Sequence, residues 1–160
     1  MKAYDLYPRF LVSVDCVIFG YQCGKLKVLI HQRPYEPCKG KLSLIGGFVQ
    51  KDESVDLAAK RILTYFTGLD NVYMQQLAAY GDVERDPGER VISIVYYALA
   101  NTEKALTTLS DINEAEWIDV DQLPKLCFDH NDMVEKARQI IGESIMTKPI
   151  GKYLMPRYFT

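Results

Sequence analysis

Apolar and polar residues alternate over residues 9–19, RFLVSVDCVIF, which predicts a strand with Val12, Val14, Cys16 and Ile18 on one face and Ser13 and Asp15 on the other. Gly20 to Gly24 reads as a loop and residues 25–33 as a second strand, so the two are expected to form a hairpin. Arg33-Pro34-Tyr35 ends it, because proline cannot donate into a ladder and biases its predecessor toward extended geometry. Residues 72–80 and 91–100 are further strands; the latter, VISIVYYALA, is apolar enough to be central and buried on both faces. Between them 81–88 is a charged, turn-rich loop.

The period changes at Val55, Ala58, Ala59, Ile62 and Phe66, whose spacings of three and four predict an amphipathic helix. Asp52 and Ser54 are candidate N-caps, and Gly68 stands at the C′ position. Ahead of it, Gly46 and Gly47 predict a glycine turn. Residues 114–126 give a short strand with the single tryptophan, Trp117, then a turn or brief helix around Pro124. A last helix over about 133–146 has Val134, Ala137, Ile140, Ile141 and Ile145 as its apolar face, with caps offered by Asp129-His130-Asn131-Asp132.

Composition narrows the class. At 160 residues the chain suits one domain with a substantial core, and 48% hydrophobic with 25% charged residues is a globular balance. A net charge of −2 gives no electrostatic footprint for nucleic acid within this chain. No apolar run is long enough for a membrane span and the N-terminus lacks a signal-peptide pattern, so a cytoplasmic location is expected. Cys16, Cys23, Cys38 and Cys127 form neither a C-x-x-C pair nor a zinc-spaced cluster, and are expected to be reduced packing residues.

The stretch GGFVQKDESVDLAAKRILTYFTGL carries the chemistry. Gly47, Glu53, Arg61, Gly68 and Leu69 are spaced so that the stretch resembles the Nudix box, G-x5-E-x7-R-E-U-x-E-E-x-G-U with U a bulky aliphatic. The family's metal-binding glutamates would fall at Ile62, Tyr65 and Phe66. A diphosphate substrate needs a divalent ion held by several carboxylate oxygens, and Glu53 alone cannot supply them. No catalytic residue, metal or cofactor is therefore expected. Whether Ile62, Tyr65 and Phe66 are plain core or line a pocket converted from catalysis to binding stays open.

The resemblance extends from about residue 8 to 160 and implies the Nudix fold, a mixed β-sheet sandwiched between helices, in the α/β (α+β) class. It implies that Arg33 faces a ligand cleft and that the loop holding Arg85, Asp86 and Arg90 leads into a strand bordering it. His31 reads as a strand end meeting solvent, Gln32 as pointing away from the cleft, and His130 as a cap or turn residue. The expected ligand-binding set is Gly46, Gly47 and Phe48 shaping the cleft, Arg33 and Glu84 as polar contacts, and Tyr96 as an aromatic wall.

The tail KPIGKYLMPRYFT resembles the hinge of Nudix-related transcriptional regulators, in which a non-hydrolysing Nudix domain precedes a winged helix-turn-helix. Residues 1–147 are thus expected to form a ligand-sensing domain and 148–160 a hinge to a DNA-binding domain absent from this chain, with a homodimer as the working unit. The box is most similar to the arabinose-responsive branch, and Tyr65, Phe66, Tyr96 and Tyr97 suit a sugar, so L-arabinose is the favoured effector. The alternatives are an ADP-ribose-sensing regulator of NAD metabolism and an active hydrolase with metal ligands displaced to Glu53, Glu84 or Glu89. An adaptor role with an empty cleft is a third.

Overall fold

The computed structural model describes residues 2–109 and 115–154. The predicted strands form β1 (Leu11–Gln22), β2 (Lys25–Gln32), β4 (Tyr73–Tyr80), β5 (Val91–Leu99) and β6 (Glu116–Asp119), and a further strand, β3 (Leu42–Phe48), runs through the expected glycine turn. The helices are α1 (Val55–Thr67), α2 (Thr102–Leu109) and α3 (His130–Thr147). The strands make one mixed sheet in the order β4-β5-β1-β3-β2-β6, with β1 and β5 parallel and the other pairs antiparallel. This is the expected mixed sheet between helices.

The β1–β2 hairpin forms, but Gly20 lies in the ladder opposite Lys27 rather than in a loop. The connection is only Cys23-Gly24, with φ of 53° and 73°, and a two-residue turn with both φ positive matches the twist of the strands it joins. Alternation then sorts β1 between two cores. Val14, Cys16 and Ile18 pack under α1 against Ala58, Ala59, Ile62 and Leu63. Val17 and Phe19 face Met133, Val134, Ala137 and Ile141 of α3. Both faces of the sheet are thus buried, and the face given to Ser13 and Asp15 becomes apolar further along the strand.

Helix α3 begins three residues earlier than the periodicity predicts, at His130. Ile145, assigned to its apolar face, is 48% exposed. After α3 the chain turns back. Ile150 and Leu154 are buried in the α3 core, and Tyr153 stacks on Tyr73 with ring centroids 5.0 Å apart. The expected hinge is therefore docked on the domain as far as Leu154, while 155–160 lie outside the described residues. No described helix is long and apolar enough to cross a membrane.

Candidate functional site

The connection from β3 to α1 is held by polar groups at fixed places. Ser54 is the N-cap, its Oγ accepting the Leu57 N–H at 3.1 Å, and Asp52 is not. Gly68 closes the helix with φ 68° and its N–H on the Thr64 carbonyl at 2.8 Å, a backbone that a Cβ would strain. Between these ends Arg61 grips Glu53 with a two-pronged contact, Nε to Oε2 at 2.9 Å and Nη2 to Oε1 at 2.6 Å. Its Nη2 also donates to the Phe48 carbonyl at 3.1 Å, and Glu53 accepts the Gln50 N–H at 2.9 Å. The Arg61 contact, helped by the Gln50 N–H, holds the Glu53 carboxyl below its usual range. Glu53 and Arg61 form a bracket that ties the loop to the helix.

Gly46 and Gly47 are not a turn. Both lie in β3, with Gly46 opposite Asp15 and Gly47 opposite Val14. A Cβ on Gly46 would sit 2.4 Å from Asp15 Oδ1 and 2.7 Å from the Val14 carbonyl, so close approach rather than an unusual φ demands glycine there.

A cleft of about 820 Å³ opens where β1, β2 and β3 meet the end of α1 and the start of α3. The helical face left open by the sequence divides residue by residue. Ile62 is core, whereas Tyr65 and Phe66 line the cleft, with Tyr65 62% exposed. Gly46, Gly47, Phe48 and Arg33 line it too. His31 is not a solvent-facing strand end: it is buried, its ring meets Phe66 edge-on at 5.2 Å, and it lines the cleft. Burial, and then the Arg33 charge, lowers its pKa. Gln32 also reaches the cleft, its Nε2 donating to the Gly40 carbonyl at 2.8 Å.

Two of the expected contacts are elsewhere. Tyr96 pairs with Cys16 in the ladder and so shares the α1 side of the sheet, where it is buried and its hydroxyl donates to Asp56. It is a core residue, not a cleft wall. Glu84 lines a neighbouring acidic depression that shares only Arg85 and Phe128 with the cleft.

Instead the floor and far wall come from Asp15, Arg85, Phe128 and His130. Ser93 Oγ donates to Asp15 Oδ2 at 2.5 Å, and Asp15 Oδ1 lies 3.5 Å from His130 Nε2. His130 Nδ1 accepts the Leu44 N–H at 3.1 Å, and burial pushes the pKa of this histidine down. The imidazole is therefore neutral, with its proton on Nε2 toward Asp15. Beside it Arg85 makes a bidentate pair with Asp129, at 2.8 and 3.0 Å. Asp15, a lone acid within an apolar strand, Arg85 within an E-R-D-P loop, and Phe128 opening the F-D-H entry to the last helix are the sequence signals for this wall.

The carboxylates do not suit a divalent ion. Ile62, Tyr65 and Phe66 offer no charged oxygen, Glu53 is engaged by Arg61, and Asp86 Oδ1 accepts the Gly88 N–H at 2.8 Å. Among the described residues no group of three His, Cys, Asp or Glu side chains could hold a metal. The cleft has basic groups instead, Arg33, Lys39 and Arg85.

The model of the NUDIX domain matches residues 9–139. The chain belongs to the NUDIX family. This NUDIX domain is 33% identical over 158 residues to the ADPR responsive transcriptional repressor NtrR of Acinetobacter baylyi, covering 96% of this chain and 63% of that protein. It thus spans less than two thirds of that relative's length. It is 37% identical over 135 residues to the ADP-ribose pyrophosphatase of Methanocaldococcus jannaschii, covering 84% of this chain and 77% of that one. Among solved structures, Shewanella oneidensis NrtR superposes with a TM-score of 0.87 at 29% identity, over 94% of this chain and 72% of that chain. The NUDIX domain of the same Shewanella protein, complexed with ADP ribose, superposes with a TM-score of 0.70 at 29% identity, over 88% of this chain and 94% of that one.

These relatives overturn the arabinose assignment. The regulators that this NUDIX domain resembles are described by ADP-ribose, not by a free sugar. The physical reason is in the cleft: Tyr96 and Tyr97 face away or into the core, and the polar groups that remain include cations suited to phosphate.

Proposed function

We propose that this NUDIX domain is the effector-sensing part of a DNA-binding transcriptional regulator and that it binds ADP-ribose without hydrolysing it. The observation that carries this reading is the exchange on the cleft side of α1, where aromatic Tyr65 and Phe66 stand at the positions of the family's metal-binding glutamates. Aromatic faces hold a nucleobase, and guanidinium forks hold phosphate oxygens. A cleft of about 820 Å³ is near the top of the roughly 300–1,000 Å³ range of small-molecule sites, ample for a dinucleotide-sized ligand. A relative named for its response to ADP-ribose and another named an ADP-ribose pyrophosphatase support the ligand class.

Recognition of DNA would then lie beyond the sheet and helices described here. The docking of Ile150 and Leu154 in the α3 core would make the following segment move with this domain. Effector binding regulates only by favouring one arrangement over another, with about 1–3 kcal/mol of coupling as the usual scale. The pyrophosphatase relative favours a second reading, hydrolysis of the same ligand. Isothermal titration with ADP-ribose, with and without magnesium, tests the first. Saturable binding with stable heats supports it, and no binding in either buffer refutes it.

A further inference from the structure

We propose that Arg33 and Arg85, gathered on Phe128, take the place of a metal ion in this cleft and form a metal-independent site for a diphosphate. This rests on the ADP-ribose reading and assigns the residues that would neutralise that ligand's charge.

Three observations carry it. First, both guanidinium carbons lie over one ring, Arg33 Cζ 5.0 Å and Arg85 Cζ 5.9 Å from the Phe128 centroid. Phe128 is held there with φ 53°, a conformation rare for a bulky side chain. Second, the two cations are unequally compensated. Arg85, with 4% of its side chain exposed, commits Nε and Nη2 to Asp129, leaving the other edge of its guanidinium free of that pair. Arg33 uses Nε on the Pro37 carbonyl at 2.9 Å and makes no ion pair with a carboxylate among the described residues. Arg33 is thus the cation left for an anion to compensate, with Arg85 held beside it on the same ring by Asp129. Third, the carboxylates that would hold a metal are missing from the helix facing this pair.

A diphosphate presents two anionic groups, and planar guanidinia can each take one through paired N–H donors. Asp129 is the positioning residue, since its fork fixes the plane of Arg85. The aromatic side, Tyr65 and Phe66, remains for the uncharged part of the ligand.

The test compares ADP-ribose, inorganic pyrophosphate and adenosine as titrants of the full chain in EDTA. Wild-type protein is expected to bind ADP-ribose equally well, within twofold, in EDTA and in magnesium. Arg33→Gln should weaken ADP-ribose and pyrophosphate by about ten- to hundredfold, the loss of a charged hydrogen-bonding partner, while leaving adenosine unchanged. Arg85→Gln alone would strand Asp129, so the paired variant Arg85→Gln/Asp129→Asn is used, with the melting curve checked. It should show the same selective loss. A tenfold or greater loss of ADP-ribose affinity in EDTA, or equal losses for adenosine and ADP-ribose in Arg33→Gln, would overturn the clamp while leaving ADP-ribose sensing intact. Failure of the wild type to bind ADP-ribose at all refutes the sensing reading itself.

Discussion

Helices α1 and α3 reach the same cleft from opposite faces of the sheet and bring it opposite chemistry. Helix α1 is regular and capped at both ends, and it presents aromatic rings from its last turn. The entry to α3 is irregular: Phe128 has positive φ, Asp129 is committed to Arg85, and His130 is committed to Leu44 and set against Asp15. The contrast teaches that, on the proposed reading, a family motif and the ligand-binding groups need not coincide. The spacing of the box preserves the frame of α1, while the polar groups able to discriminate a charged ligand belong to segments remote in sequence.

Breaking the α3 side is expected to cost most. His130→Ala removes a buried ring and leaves the Leu44 N–H without its acceptor, so stability should fall by about 3 kcal/mol in urea denaturation. Gly46→Ala forces a Cβ against Asp15 and the Val14 carbonyl and should cost about 1–3 kcal/mol by the same assay. On the α1 side, Ser54→Ala removes one cap hydrogen bond and should cost about 1 kcal/mol. Tyr65→Ala, at an exposed position, should change stability by less than about 0.5 kcal/mol. If His130→Ala were as mild as Tyr65→Ala, the two sides would not differ as described.

Stability depends on pH as well. Burial lowers the pKa of both His130 and His31 below the ordinary 6.5, so the unfolded chain binds protons that the folded chain refuses. Their contribution is present above about pH 6.5 and is lost as pH falls below it toward the depressed folded values. The urea midpoint should therefore drop between pH 7.5 and 5.5, and His130→Gln should flatten that dependence. A midpoint that rose on acidification would contradict the neutral assignment of His130.

Five of the strands and helices α1 and α3 are legible because alternation and the three-four spacing follow directly from which faces are buried, whereas α2 and the full extent of β3 are not. Ser54 and Gly68 were legible because cap chemistry is local. What was not legible depended on partners distant in the chain. Gly46 reads as a turn because nothing in its neighbourhood reveals Asp15 paired opposite it in β1. Tyr96 looked available because its side of the sheet is fixed only by its pairing with Cys16. His130 looked like a cap because its acceptor role requires Leu44, a strand neighbour only after folding. The arabinose expectation rests on aromatic residues, which are visible in sequence, whereas the meeting of Arg33, Arg85 and Phe128 is not.

Phosphorus-31 NMR of ADP-ribose incubated with the protein in magnesium tests the central claim most directly. Diphosphate resonances should shift or broaden on binding and persist for hours without a phosphomonoester signal. Steady growth of phosphomonoester resonances at the expense of the diphosphate would show turnover and contradict the reading of α1 as a binding rather than a catalytic face.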